Sequence, residues 1–188
     1  MAGPARWHIT GASGSGVSTL GAELAWRLGV THLDTDNFFW LPSDPPFETP
    51  RPIPERLALL GAALDAAEGG WVLSGSLDGW GDPLIPRFER VVFLTAPTEV
   101  RIERLRRRER QRRGPAVEKG GAEYAKLLRF LAYAEAYDTG QFTDMTGRYR
   151  ARHEAWLARL PCPLLRLDGT QATQALANTV LASRSLPL

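Results

Sequence analysis

The chain has 188 residues, 44% of them hydrophobic and 23% charged, with a formal net charge of +2. That length suffices for one domain with a full hydrophobic core, and no run of 18 or more apolar residues is present to cross a membrane. The charge balance makes no case by itself for a nucleic-acid partner, and the single cysteine, Cys162, excludes an intrachain disulfide and suits a reducing cytoplasm.

Residues 1–6 lack the apolar stretch of a secretory signal and lead straight into a strand. Trp7-His8-Ile9-Thr10 reads as that strand, short and buried, running into Gly11. Residues 11–19 are Gly-Ala-Ser-Gly-Ser-Gly-Val-Ser-Thr. They meet the phosphate-loop pattern G-x-x-x-x-G-K-[ST] at Gly11, Gly16 and Ser18, with Val17 where the pattern has lysine. A helix over 18–28 follows, with Leu20, Leu24 and Leu28 on one face and Gly29 as its stop. Strand, glycine-rich turn and helix together are the context this pattern requires. Glycines let phosphate oxygens approach the main chain, whose successive N–H groups form an anion nest at a helix N-terminus. Gly11, Ala12, Ser13, Gly14, Ser15, Gly16, Val17, Ser18 and Thr19 are therefore the candidate phosphate-binding residues. Ser18 would offer its hydroxyl to Mg²⁺, and Thr19 would reach the α-phosphate. A lysine here stabilises charge that grows in the transition state; valine supplies none.

Thr31-His32-Leu33-Asp34 is a second strand. Asp34 and Asp36 stand two apart at its end, so in an extended segment they would point the same way. One carboxylate can hold Mg²⁺ through water and one can orient an acceptor hydroxyl or take its proton; turn or cap aspartates are the alternative. Phe38, Phe39 and Trp40 either wall an acceptor pocket with Trp80 or are core aromatics. Prolines at 42, 45, 46, 50, 52 and 54 stiffen a loop. Pro54 suits the first helical position, and Leu57, Leu60, Leu64 and Ala67 form the helix's apolar stripe up to Gly69-Gly70.

Trp71-Val72-Leu73-Ser74 is a third strand, followed by a turn-rich stretch over 75–83. Arg90-Val91-Val92-Phe93-Leu94 is the clearest strand, apolar enough to be central. Pro97 and Glu99 open a helix that carries most of an arginine run to Gly114. Lysine occurs only at 119 and 126, so arginine dominates the cations. Arg104 and Arg108 share a face, and guanidinium groups suit phosphate. A solvated helix with Glu103 and Glu109 as ion-pair partners is the alternative. Tyr124, Leu127, Leu128 and Leu131 predict another helix; Asp138-Thr139-Gly140 and Thr146-Gly147 read as loops. Residues 148–160 return to helix, with Tyr149, Trp156, Leu157 and Leu160 on its apolar side. Leu164-Leu165-Arg166-Leu167 is the last strand, and Asp168-Gly169-Thr170 turns into a helix over 171–182, with Thr170 as a candidate N-cap. His8, His32 and His153 have no metal-ligand spacing and read as structural. Cys162 reads as a small buried residue.

Strands alternating with helices predict an α/β architecture of about five mostly parallel strands. The chain reads as a single domain over 1–188.

On the loop at 11–19, on Leu33-Asp34-Thr35-Asp36 and on the strand and helix from Val91 to Arg108, the chain resembles the adenylate-kinase-like and shikimate-kinase-like group of P-loop NTPases over most of its length. The resemblance implies a three-layer fold with helices on both faces of the sheet, an acceptor-side segment at 35–70 and a helical, lid-like insertion at 106–148. It also implies a nucleotide and a small-molecule acceptor as partners, with Asp34-Thr35-Asp36 similar to the D-x-D that handles Mg²⁺ and acceptor. Arg148, Arg150 and Arg152 lie where a helix after the lid supplies phosphate-binding arginines, and Asp168-Gly169-Thr170 lies where such kinases place a loop against the adenine base. Two positions depart from the group: Val17, and Ser74 where many members carry the Walker B aspartate. Both bear on phosphoryl transfer more than on nucleotide binding, and argue against true adenylate kinase activity.

The leading expectation is an ATP-binding kinase-like protein, taking ATP or another nucleoside triphosphate with Mg²⁺. Ser18 and Asp36 would manage the metal, and Asp34 or Asp36 the acceptor. Arg104 and Arg108 from the 104–113 run and Arg152 from 148–152 would replace the missing lysine. The alternative is a non-catalytic nucleotide- or phosphate-binding regulatory protein. A third, an RNA-associated basic protein, rests on the arginines alone and lacks interleaved aromatics.

Overall fold

The computed structural model describes residues 4–43, 46–142 and 147–185; residues 1–3, Pro45 and Thr146, named above, lie outside them. Five strands form one sheet in the order β2-β3-β1-β4-β5. They are β1 (Ala5–Gly11), β2 (Thr31–Asp34), β3 (Gly70–Ser74), β4 (Arg90–Thr95) and β5 (Leu164–Asp168). Every pairing is parallel. Parallel strands need crossovers, supplied here by α1 (Val17–Leu28), α3 (Ile53–Ala66), α4 (Thr98–Arg113) and α6 (Arg150–Leu157). The short α2 (Asp36–Phe39), α5 (Tyr124–Glu135) and the C-terminal α7 (Thr173–Ala182) complete the set.

Strand parity divides the core. Trp7, Ile9, Val72, Val92 and Leu94 face one side and pack with Leu20 and Leu24 of α1 and Leu176, Ala177 and Val180 of α7. Trp71, Leu73, Val91 and Phe93 face the other, against Leu60 and Leu64 of α3 and Trp156 and Leu157 of α6. This alternation is why central parallel strands read as unbroken apolar runs. Val91, Val92 and Leu94 have no exposed surface, and burying each is worth about 1.5–3 kcal/mol. The edge strands β2 and β5 are only partly buried. A third, smaller cluster joins α4 to α5 through Leu105, Leu131 and Ala134.

Because all strands run one way, their C-terminal ends share one edge of the sheet. That edge gathers the 11–19 loop, Asp34, Ser74, Thr95 and Asp168. In open α/β sheets ligands bind at this edge, near the point where strand order reverses, and β1 lies between β3 and β4 there.

Several local expectations change. Asp34 and Asp36 do not lie on one extended segment: β2 ends at Asp34, and Asp36 opens a helical turn. The Asp36 N–H donates to Asp34 Oδ1 at 3.0 Å, a bond that favours turning over extension. Leu128 and Tyr149 are exposed rather than on apolar faces. The last helix starts at Thr173, with Ala172 before it. Thr170 instead turns onto Asp168, donating its N–H at 2.9 Å and its hydroxyl at 2.8 Å. Cys162 is only partly buried, against the α3/α6 core.

Candidate active site

The 11–19 loop is built from its own hydrogen bonds. The Ser15 N–H and hydroxyl both donate to Ala12 O, at 3.1 and 2.8 Å, and Ser15 is fully buried. That hydroxyl is thereby committed to the loop's shape. Gly14 has φ 85°, and a Cβ there would stand 2.6 Å from Arg101 O, so α4 packs directly on the loop's main chain. Gly16 is the N-cap of α1. The first-turn N–H groups of Val17, Ser18 and Thr19 have no intrahelical acceptor, and among the described residues no hydrogen bond consumes them. Free N–H groups at the positive end of a twelve-residue helix make an anion nest.

Val17 packs against the core cluster shared by α1 and α7. Its side chain is partly buried there. Ser18 Oγ donates to Asp34 Oδ2 at 2.7 Å, so Asp34, not Asp36, is the carboxylate beside the loop hydroxyl. Ser74 Oγ is 3.4 Å from that same oxygen and 2.8 Å from His32 Nε2. Burial lowers the His32 pKa against the opposing pull of Asp34.

Asp36 remains open to solvent, yet protein crowds its carboxyl. Desolvation first, and then the charge of Asp34, raise its pKa; Arg148, Arg108 and Arg112 pull it back. These three arginines therefore direct their field at Asp36. Arg148 donates its main-chain N–H to Tyr133 Oη at 3.3 Å, while its Nε is buried with no hydrogen-bond partner among the described residues.

The remaining predicted residues separate. Arg104 reaches the loop: one guanidinium nitrogen lies 2.8 Å from Gly169 O and 3.5 Å from Gly14 O, tying the loop after β5 to the phosphate loop. Arg108 pairs with Glu109 at 2.9 Å. Arg152 pairs with Asp78, in the loop after β3, at 3.0 Å. It lines a cleft of about 330 Å³ with Asp82, Trp156 and Arg159 that includes none of residues 11–19. Much of the arginine run is ion-paired: Arg110 with Glu118, and Arg113 with Glu109 and Glu123. Phe39 stacks under the Arg56 guanidinium at 3.7 Å and meets Trp80 edge-on; Trp80 is buried in the α3/α6 core.

Sequence reasoning missed Arg101. It is 1% exposed and donates to Ala134 O at 3.0 Å, Ser13 O at 3.4 Å and Asp138 at 2.6 Å. It joins the loop to α4 and α5 and is the cation of the run that packs rather than projects. Its spacing resembled that of its neighbours, and only the burial of α4 distinguishes it.

A five-stranded parallel sheet of this order, with a glycine-rich turn from its central strand into an anion-receiving helix, defines a P-loop NTPase. Residues 8–126 match the family model described as AAA domain, and the chain belongs to that family. It is 47% identical over 174 residues to the uncharacterized protein YqaC of Bacillus subtilis (strain 168), covering 93% of this chain and 94% of that protein. Among solved structures, a gluconokinase from Sinorhizobium meliloti 1021 aligns with TM-score 0.54 at 19% identity, over 98% of this chain and 94% of its own. A shikimate kinase from Acinetobacter baumannii, in complex with shikimate, aligns with TM-score 0.55 at 18% identity, over 99% and 97%. At these identities the likeness is one of fold: that of small-molecule kinases.

Proposed function

We propose that this chain binds a nucleoside triphosphate with Mg²⁺ and transfers its terminal phosphoryl group to a hydroxyl of a small-molecule acceptor. The observation that carries this reading is the hydrogen bond from Ser18 to Asp34, beside the unspent N–H groups of α1. The pair sets a hydroxyl and a carboxylate oxygen side by side at the loop, a donor set suited to a metal ion that accompanies phosphate.

The residues present fit the metal. Ser18 and Asp34 offer two oxygen donors, which suits an ion that keeps waters and phosphate oxygens for its other positions. When bound, Mg²⁺ neutralises charge across the β- and γ-phosphates. The N–H groups of residues 16–19 hold the phosphates, and Arg104 fixes the loop on which they sit. Asp36, with its raised proton affinity, takes the proton of the acceptor hydroxyl as that oxygen bonds to the γ-phosphorus and the bond to the β–γ bridging oxygen breaks. Arg148 and Arg108 supply positive charge at the transferred group in place of a loop lysine. The acceptor enters from the side of residues 35–70.

The test is titration of Mg-ATP into the protein by calorimetry, followed by ADP release with a panel of hydroxyl acceptors. Micromolar binding that Ser18→Ala weakens at least tenfold, with acceptor-dependent ADP release, supports the reading. A second reading, a nucleotide- or phosphate-binding regulator without catalysis, is favoured by Val17 and Ser74. It predicts the same binding with no ADP release from any acceptor.

A further inference from the structure

We propose that His32 and Ser74 are positioning residues that hold Asp34 against Ser18, doing from two strands what a single carboxylate at the end of β3 would otherwise do. The inference rests on the reading that Ser18 and Asp34 manage the metal.

Ser74 ends β3 and is the register partner of Asp34 on β2. It is fully buried, at a place where a hydroxyl costs free energy unless it is hydrogen-bonded. It has three partners in reach: His32 Nε2 at 2.8 Å, Asp34 Oδ2 at 3.4 Å and Leu33 O at 3.4 Å. With a proton on His32 Nε2, the imidazole donates to Ser74 Oγ, and the single Ser74 proton is directed to Asp34 or the neighbouring carbonyl. Asp34 Oδ2 then takes the Ser18 hydroxyl at 2.7 Å with the Ser74 hydroxyl 3.4 Å away, while Oδ1 takes the Asp36 N–H at 3.0 Å. A donor on each oxygen fixes the carboxylate's plane, and Ser74 backs the one that meets Ser18. An aspartate at 74 would instead set a second negative charge against Asp34, which like-charge repulsion opposes. Serine at 74 is thus the partner that an aspartate at 34 requires, rather than a bare loss.

The helix opposite makes room for the arrangement. Gly21 lies inside α1, where glycine is unfavourable relative to alanine. A Cβ there would stand 2.8 Å from His32 Nε2 and 3.0 Å from Ser74 Cβ. Even the smallest side chain would push on both members of the pair.

The experiment measures ATP affinity by calorimetry on the full chain, once with excess Mg²⁺ and once with EDTA, beside a melting curve for each variant. Ser74→Ala and His32→Leu are expected to cut the Mg²⁺-dependent gain in affinity by about tenfold or more, and to leave the EDTA affinity and folding intact. His32→Gln, which keeps a donor, should retain most of the gain. Gly21→Ala should lose the gain while keeping its helix, and it serves where Ser74→Ala does not fold. Equal loss with and without Mg²⁺ marks a merely structural role and overturns the inference. An unchanged Mg²⁺ dependence in both Ser74→Ala and His32→Leu also overturns it, leaving the proposed function standing. A wild-type chain whose ATP affinity ignores Mg²⁺ overturns the metal reading and the inference together.

Discussion

The hydroxyl of Tyr137 lies 2.9 Å from His153 Nδ1, and the other nitrogen of that ring lies 3.1 Å from Thr10 Oγ1. The imidazole is buried and both its nitrogens are satisfied. It joins the tail of α5 to the strand that delivers the phosphate loop, one residue before Gly11.

Removing the Tyr137 hydroxyl leaves a buried ring nitrogen without a partner. Such a loss costs about 1–3 kcal/mol. Tyr137→Phe should therefore lower the urea midpoint without changing the slope of the transition. In a cycle with Thr10→Val, the two losses should be less than additive, because both act through one ring. Additivity would show that the ring does not couple them.

The same burial sets a pH dependence. Desolvation first, and then the charges of Arg148, His8 and Arg166, lower the His153 pKa to about 3. Desolvation lowers that of His8 to about 4, against a hydrogen bond to Leu73 O. An unfolded histidine titrates near 6.5. Between these values the unfolded chain binds more protons than the folded one, so stability rises with pH. Above 6.5 the contribution of both rings is complete; below it, stability falls as acid is added. The slope from the two rings together is about 2 kcal/mol per pH unit between roughly pH 5.5 and 4.5. Urea midpoints at steps from pH 7.5 to 4.5 test this, and a flat profile across that window would count against buried neutral histidines.

The two aspartates should separate by assay. Asp34 touches the loop hydroxyl, and Asp36 faces outward under the field of Arg148, Arg108 and Arg112. Asp34→Asn should weaken Mg-ATP binding by about tenfold or more and leave binding in EDTA nearly unchanged. Asp36→Asn should leave Mg-ATP binding within a factor of about three and lower turnover by about 10²–10⁴-fold, the range of a general base. The reverse pattern would exchange their roles.

Where periodicity and glycine punctuation act locally, the sequence was informative. The turn at 11–19, the helix after it and the apolar strand at β4 lie close to where residue pattern alone puts them. What it could not show is pairing across the sheet. His32, Asp34 and Ser74 come together only because β2 lies beside β3 in one particular register. Arg101 and Arg152 look like their neighbours in the chain, yet one is a buried brace and the other is bound to Asp78. The turn that begins at Asp36 was hidden because the deciding bond, from the Asp36 N–H to Asp34, is made by a side chain.

The missing lysine supplies the last prediction. Val17 packs, partly buried, against the α1/α7 core, and as a valine it gives the loop no cation. Arg148 has a buried Nε without a hydrogen-bond partner among the described residues and acts electrostatically on Asp36, which makes it the first candidate for the lost charge. Arg148→Gln should lower ADP release by about 10²–10³-fold, as loss of one transition-state donor does, and should change the affinity for ATP far less. Because Arg148 also holds the His153 pKa down, a melting curve must show that the variant is folded. Val17→Lys on the Arg148→Gln background should recover part of the rate if the two cations serve the same phosphate. Val17→Lys alone should lose some stability, since it replaces a packed side chain with one that must leave the core. If Arg148→Gln retains full turnover and Val17→Lys raises it, the charge was never replaced and the loop works below its capacity.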